Sequence, residues 1–497
     1  MTVQLVWLGL GIYVVISLIV AYLSRSGKQT NMTSYFLGDR KLGGFVSALS
    51  YSATTYSAFM LVGLAGLTYA GGVGALGFEL IYLMGVSLVA FFGPRFWIVG
   101  KKYGYVTPSE MLGDRYQSKT VAFIVSLASC LFLIPYSAVQ LTGVGLLFSG
   151  MTNGEISFVT GVIIATALAI IFSYVAGIRS VAWTDSLQAL FMIVSSTAIV
   201  MLLIYQMGGF SGFFQSLENE HPQSLQVPGN GVFSFPAFLG MTIPWFFFAL
   251  SNPQVSQRLY MPASMTTLRK MLIGFLVFGF IYTLVAVIWG YSAVILYPGL
   301  ESSDLATPTL LASGVIPPVL SMIVMIGIMA AAISTIDSIL LTLSSLFARD
   351  IYGNLNKNAT DEAQLKVGKF VIPVIAILAF LFALLQLDLI SVLSIASSAG
   401  LLVIVPSIIG TFFWKRGSAQ GVIWSVVGGG LVVIILEVLK YTTKFLFMGL
   451  ASGIWGIITS TVLFVVISLM TKAPEKKAEE FLSYVRTELK HHIGDQS

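Results

Sequence analysis

Long apolar stretches recur along the chain with short polar interruptions between them. A helix that crosses a bilayer needs about 20 predominantly apolar residues. Thirteen stretches qualify, at 3–23, 44–69, 74–100, 121–150, 156–178, 181–207, 233–260, 272–297, 316–347, 367–387, 390–414, 422–439 and 448–470. The pattern predicts an all-α polytopic membrane protein with one transmembrane domain, residues 1–471, and a tail, residues 472–497. The exceptions inside the apolar stretches carry the functional information, because a polar side chain in lipid is expensive unless something uses it.

The segment 327–345, GIMAAAISTIDSILLTLSS, is the most informative of these. Wound as a helix, it sets Ser334, Asp337, Ser338, Thr342 and Ser345 on one face. Ala330, Ala331 and Ala332 let another backbone approach closely. Hydroxyls with one carboxylate inside a bilayer offer oxygen ligands to a small hard cation such as Na⁺. The alternative is that the hydroxyls bond back to their own helix and Asp337 pairs across the bundle.

Two stretches carry signs of a broken helix. Hydroxyl and β-branched residues run from Ser50 to Ser57 through Thr54 and Thr55, ahead of Gly63 and Gly66. In the seventh stretch, Asn252 precedes Pro253, and a residue before proline is pushed away from helical geometry. Unwound backbone at membrane depth survives where it lines a cavity, which is how many transporters build their sites. The two segments lie five stretches apart and cross in opposite directions, as in an inverted five-plus-five repeat. Its core would be 43–414, with one helix before and two after. A plain proline kink is the other reading of the second break. Glu79, Gln140 behind Pro135 and Tyr136, Asp185, and Ser397 and Ser398 before Gly400 are further polar candidates.

Composition and charge test the topology. Hydrophobic residues make up 57% and charged residues 9%, so most of the chain belongs in lipid. With the N-terminus outside, Lys and Arg should gather after each odd-numbered stretch and before each even-numbered one. Arg25, Lys28, Arg40 and Lys41 do so, then Lys101, Lys102, Arg115 and Lys119, then Arg179. Arg258, Arg269 and Lys270, then Arg349, Lys357, Lys366 and Lys369, then Lys415 and Arg416 continue the series. Lys440 and Lys444 break it. One helix more or fewer would destroy the alternation, so the expectation is thirteen helices in a cell membrane, N-terminus outside and C-terminus cytoplasmic. The first stretch has its basic residues after it, unlike a cleavable signal peptide. The net charge of +5 is the inner-face excess and calls for no nucleic acid. In the tail, Phe481, Leu482, Val485 and Leu489 fall on one side of a short helix that is expected to be solvated. One cysteine and three histidines leave no disulfide framework and no catalytic cluster, so an enzyme is not expected.

The segments Tyr35-Phe36-Leu37-Gly38-Asp39-Arg40, Ala182-Trp183-Thr184-Asp185 with Gln188, and Ala331-Ala332-Ile333-Ser334-Thr335 resemble the sodium:solute symporter family. The YFLG stretch and Arg115-Tyr116-Gln117-Ser118 are most similar to its bacterial proline and pantothenate branches. The resemblance implies a LeuT-like inverted repeat that couples inward Na⁺ flow to uptake of a solute. It implies a sodium site at the carbonyls of Ala53, Tyr56 and Ala331 and the hydroxyls of Ser334 and Thr335. A second sodium or proton site would lie at Asp185, Asp337 and Ser338. Solute contacts would come from Thr55, Ser57, Glu79, Tyr136, Gln140, Trp245, Ser251, Asn252 and Ser398. Proline-type members carry an aspartate at the position of Thr55, and many relatives a hydroxyl residue at that of Asp337.

The sequence shows no membrane-embedded Arg or Lys to clamp a carboxylate, with Arg258 expected at the inner end of its helix. Tyr and Trp beside hydroxyls suit a small organic acid or amino acid; a sugar or polyol is the alternative. A proton-coupled member of the fold and a solute sensor remain as competing readings. A channel needs a continuous polar pore, whereas the polar residues here cluster at mid-depth. The expected partners are Na⁺, a small solute and the bilayer; no organic cofactor is called for, and a monomer satisfies the pattern.

Overall fold

A computed structural model describes residues 2–24, 31–229, 231–356, 358–387 and 390–494; Arg25, Lys28 and Lys357 of the charge pattern lie outside them. In lipid every backbone polar group must be satisfied internally, and the described residues form helices with no strand. The chain opens with α1 (Val3–Leu23) and the short α2 (Met32–Leu37), capped by Asn31. The next stretch is broken. Helix α3 (Gly44–Thr55) ends at Tyr56, and a π-helical turn (Phe59–Leu64) leads into α4 (Ala65–Gly71), bent by 49° from α3. Then come α5 (Gly74–Tyr103), α6 (Pro108–Arg115), α7 (Lys119–Met151) and α8 (Phe158–Gln206).

Helix α8 has 49 residues, too many for one crossing. At Gly177 the backbone turns to φ 62°, ψ 174°, which divides it into two segments. After α9 (Gly209–Glu220) the second broken stretch follows as α10 (Phe235–Phe246), α11 (Phe248–Ser251) and α12 (Pro253–Ser256). Asn252 between the last two sits at φ −86°, ψ 113°, the extended geometry that a following proline favours. The chain continues through α13 (Met265–Leu296), α14 (Ala306–Ala312), α15 (Pro318–Leu346), α16 (Gly353–Leu355) and α17 (Asp361–Ala383). It closes with α18 (Ile390–Leu401), α19 (Val405–Phe413), α20 (Ala419–Thr443), α21 (Ser452–Met470) and α22 (Glu475–Gly494).

Among the described residues, ten helices are long and apolar enough to cross a membrane, and α3 with α4 makes one further bent pair. The segments Phe158–Tyr174 and Phe235–Phe246 are apolar but shorter. The most apolar part of α15 is 83% buried against 28% for α1 and 33% for α20 and α21, so α15 is the central helix and those three are peripheral. Backbones also approach closely between α4 and α13, where a Cβ on Gly290 would meet the carbonyl oxygen of Ala65.

One end of the bundle carries the basic residues and is laced together by ion pairs. Arg349 binds Glu110 at 2.8 Å, Lys477 binds Asp114 at 3.0 Å, and Lys415 binds Glu479 at 2.8 Å. The tail departs from the solvated helix expected of it. Ala478, Phe481 and Val485 of α22 are buried, Phe481 stacks on Tyr103 with ring centroids 5.8 Å apart, and Lys102 sits 3.6 Å over the Tyr484 ring. The apolar side seen in the sequence has a partner, formed by the basic ends of α5 and α19.

Candidate ion and solute site

Four hydroxyls of α15 face α8 and the broken stretches. Ser334 donates to Asp185 Oδ1 at 2.6 Å, and Ser338 shares a 3.0 Å bond with Thr54. Thr342 donates to Gln257 Oε1 at 2.8 Å, and Ser345 accepts from Gln257 Nε2 at 2.9 Å. Asp337 looks elsewhere, accepting from Ser173 in the first segment of α8 at 2.9 Å. Adjacent helical residues differ by about 100° in direction, so Asp337 and Ser338 cannot both point the same way.

Arg258, expected at the inner end of its helix, is buried within the bundle. It is 3% exposed, and its guanidinium binds Asp185 Oδ2 at 3.1 Å while also donating to Ser50 and Ser338. Ser50 in turn donates to Asp185 Oδ2 at 2.9 Å. Burying a charge is tolerable when it is paired and hydrogen-bonded, and here both partners are. Asp185 is therefore neutralised within the protein, and of the residues expected at a second site Asp185 and Ser338 bind Arg258 while Asp337 binds Ser173.

Helix α3 stops at Thr55, so its last carbonyls lack following helical N–H groups. Thr335 reaches them, its hydroxyl 3.1 Å from the Ala53 carbonyl and 3.4 Å from that of Thr54. Carbonyls at a helix break beside a hydroxyl are the oxygen donors that suit Na⁺. Ala331 is buried on the same helix, whereas the Ser334 hydroxyl turns away to Asp185.

The residues expected around the solute gather where α7, α18 and the two breaks meet. Trp245 donates to Glu79 Oε2 at 3.3 Å, and Trp245, Phe59, Phe78, Tyr82 and Phe248 form a buried aromatic cluster beside them. Tyr136 packs against Phe248 with centroids 5.8 Å apart. Ser57 caps the turn after the break by accepting the Phe59 N–H at 3.1 Å. Thr55 bonds back to Tyr51 at 2.8 Å, and Asn252 donates to Ser251 at 3.2 Å. Several polar atoms here are buried without a protein partner: both amide atoms of Gln140 and of Gln254, Asn252 Oδ1 and Ser398 Oγ. An unsatisfied buried polar atom costs about 1–3 kcal/mol, so such a gathering points to a ligand or water.

At the basic end the segments flanking the two breaks are latched together. Leu42 and Pro262 pair as a short parallel bridge, and Ala263 donates to the Leu42 carbonyl at 3.3 Å. Arg40 donates to the carbonyls of Tyr105 at 2.7 Å and Tyr260 at 3.5 Å, and Trp97 Nε1 donates to that of Pro262 at 2.8 Å. At the opposite end, between α4, α10, α18 and the α20–α21 connection, lies a crevice of about 510 Å³ bordered by Glu437 and Lys440.

A model of the sodium:solute symporter family matches residues 35–429. The chain belongs to that family. Its members are transporters rather than enzymes, and the multi-pass helical bundle agrees. The sodium/pantothenate symporter of Escherichia coli (strain K12) is 27% identical over 436 residues, covering 86% of this chain and 89% of that one. The sodium/proline symporter of Staphylococcus aureus (strain JH9) is 24% identical, covering 96% and 95%. Among solved structures, a substrate-bound, outward-open Na⁺-coupled sialic acid symporter superposes with a TM-score of 0.78 at 22% identity, covering 95% of this transporter and 98% of that chain. A nucleobase-cation-symport-1 family transporter gives 0.55 at 12% identity, covering 92% and 99%. These likenesses carry the LeuT-like fold.

Sequence reasoning assigns none of Ser50, Ser173, Gln254 and Arg258 to the site, although Ser50 opens the hydroxyl run at the first break and Arg258 is expected at the inner end of its helix. Gln254 and Arg258 are four apart, directly after the Asn252-Pro253 break. A cation in the second turn beyond a break was the available signal.

Proposed function

We propose that this transporter carries a small organic solute, a carboxylate or amino acid, into the cell by Na⁺ symport and alternating access. The observation that carries the reading is that Gln140 on α7, Ser398 on α18, and Asn252 and Gln254 at the second break bury polar atoms without a protein partner. Na⁺ would bind at the end of α3, on the carbonyls of Ala53 and Tyr56 with Thr335 and Ala331 of α15 completing the set. Glu79, Trp245, Ser251, Thr55, Ser57 and Tyr136 would border the solute. A carboxylate would dock on amide side chains and on free N–H groups at half-helix starts, because Arg258 is already engaged by Asp185.

Counting the bent pair, Phe158–Tyr174 and Phe235–Phe246 as crossings with the ten long helices gives thirteen, in an inverted repeat with one helix before and two after. The positive-inside pattern then makes the basic, latched end cytoplasmic and the opposite crevice external, a conformation closed toward the cell. Asp337, which accepts from the neutral hydroxyl of Ser173, favours a second reading in which it takes a second Na⁺ or a proton.

The test is thermal stability of the purified protein in Na⁺ against K⁺ across a panel of amino acids, organic acids and sugars. A ligand at 100 times its Kd adds about 2.7 kcal/mol. Stabilisation by one solute class only in Na⁺ is the expected result. Equal stabilisation by that solute in K⁺ would overturn Na⁺ coupling and turn attention to protons at Asp337.

A further inference from the structure

Where α5 and α13 meet the docked tail helix, at the basic end of the bundle, they leave a crevice of about 520 Å³. Its bilayer side is apolar, with Phe91, Leu272 and Ile273 along it, and both Phe91 and Ile273 are exposed. Its rim carries Arg95, Arg269 and His492, and among the described residues no carboxylate lines it. Arg95 lies about 12 Å short of the end of α5, since eight residues at 1.5 Å each separate it from Tyr103. Its guanidinium is held by the Phe91 ring at 3.9 Å, the Phe413 ring at 5.2 Å, and a bond to the Phe91 carbonyl. None of these contacts supplies a negative charge. A half-buried cation at the edge of the hydrocarbon is costly without one, and the cytoplasmic leaflet supplies anionic headgroups at that depth.

We infer that this crevice binds one anionic phospholipid of the cytoplasmic leaflet. Its phosphodiester meets Arg95, with Arg269 and His492 at the rim, and an acyl chain runs along Phe91, Leu272 and Ile273. The leaflet rests on the orientation proposed above; the binding itself does not depend on solute or ion. Leu489 and His492 belong to α22, so the site is complete only while the tail is docked. The His492 ring lies 5.6 Å from that of Trp97, whose Nε1 holds the Pro262 carbonyl of the latch. A lipid seated here braces the tail, and through Trp97 the latch.

The experiment is a thermal-unfolding titration of the full chain, delipidated in neutral detergent. Short-chain phosphatidylglycerol, phosphatidylcholine and inorganic phosphate are compared at matched concentrations. Phosphatidylglycerol should raise the unfolding temperature at a concentration about tenfold below phosphatidylcholine, a difference of about 1.4 kcal/mol, and phosphate should do nothing. Arg95→Gln should remove that preference. Ile273→Trp, on the exposed bilayer side, should also remove it by filling the acyl groove, and serves if Arg95→Gln does not fold. Equal shifts by the two lipids, an equal shift by phosphate alone, or a preference retained in the variants would overturn the site. No Na⁺ or solute enters this assay, so failure of the symport reading would leave its result standing. Cleavage of the tail by protease added outside intact cells would overturn the leaflet assignment.

Discussion

Arg258 fixes the electrostatics of the core. It lies inside a ring of Asp185, Ser50 and Ser338, and each of these also touches another member or the end of α3. Removing one partner of a buried ion pair leaves an uncompensated charge and costs about 3–5 kcal/mol, whereas replacing both with apolar groups is often neutral. Arg258→Met should therefore lower stability by about 3–5 kcal/mol, and adding Asp185→Leu should recover most of it, measured by thermal unfolding in detergent. A double variant as unstable as the sum of its parts would remove the pair from this role. The sequence made the α15 strip legible because helical spacing fixes direction along an unbroken helix, and Ser334, Ser338, Thr342 and Ser345 do share a side. It could not place Arg258. Beyond a break, spacing no longer sets depth, and a long side chain that points inward rather than toward the interface reads the same in one dimension.

At the scale of elements, both breaks follow from local chemistry that a sequence exposes: a proline behind Asn252, and a hydroxyl run ahead of Phe59. Docking of the tail was harder to see, since an amphipathic helix has the same pattern whether its apolar side meets protein, lipid or nothing. Burial of Phe481 and Val485 should hold it, at about 1.5–3 kcal/mol for each side chain. The ion pairs around them are a smaller contribution. Lys415, by hydrogen bond and charge, holds the exposed Glu479 carboxyl below its ordinary value. A lowered folded pKa means that the contact stabilises docking fully above the unfolded carboxylate value, about 4.3, and is lost as pH falls through the lower folded value. Hydrogen-exchange protection of α22 should accordingly weaken slightly between pH 5 and pH 3 and at high salt, while Phe481→Ala should weaken it far more at every pH. Protection that follows pH strongly and ignores Phe481→Ala would make the docking electrostatic instead.

For the molecule as a whole, the question is how many charges move per solute. At 100 mV one inward charge is worth about 2.3 kcal/mol, and a tenfold Na⁺ gradient adds about 1.4. One Na⁺ then concentrates a neutral or zwitterionic solute by about 500-fold, but a monoanion by only about tenfold, because its charge cancels that of the ion. The core bears on which case applies. Asp185 and Arg258 cancel each other, so Arg258 stands beside Ser338 and Asp185, where a second cation would have to compete with it. Asp337 points about 100° away from Ser338 around α15 and is bonded to Ser173. On the proposed reading a second cation would bind at Asp337 rather than at Asp185, and it would restore the drive for an anionic solute. In proteoliposomes, the reversal potential should report two cations per monoanion. Asp337→Asn should then lower the Hill slope for Na⁺ from about two to one and cut accumulation without abolishing uptake, while Thr335→Val should raise the Na⁺ needed for any uptake. A reversal potential that gives one cation and does not move in Asp337→Asn would make Asp337 a structural partner of Ser173. The solute would then have to be neutral or zwitterionic for the gradient to concentrate it strongly.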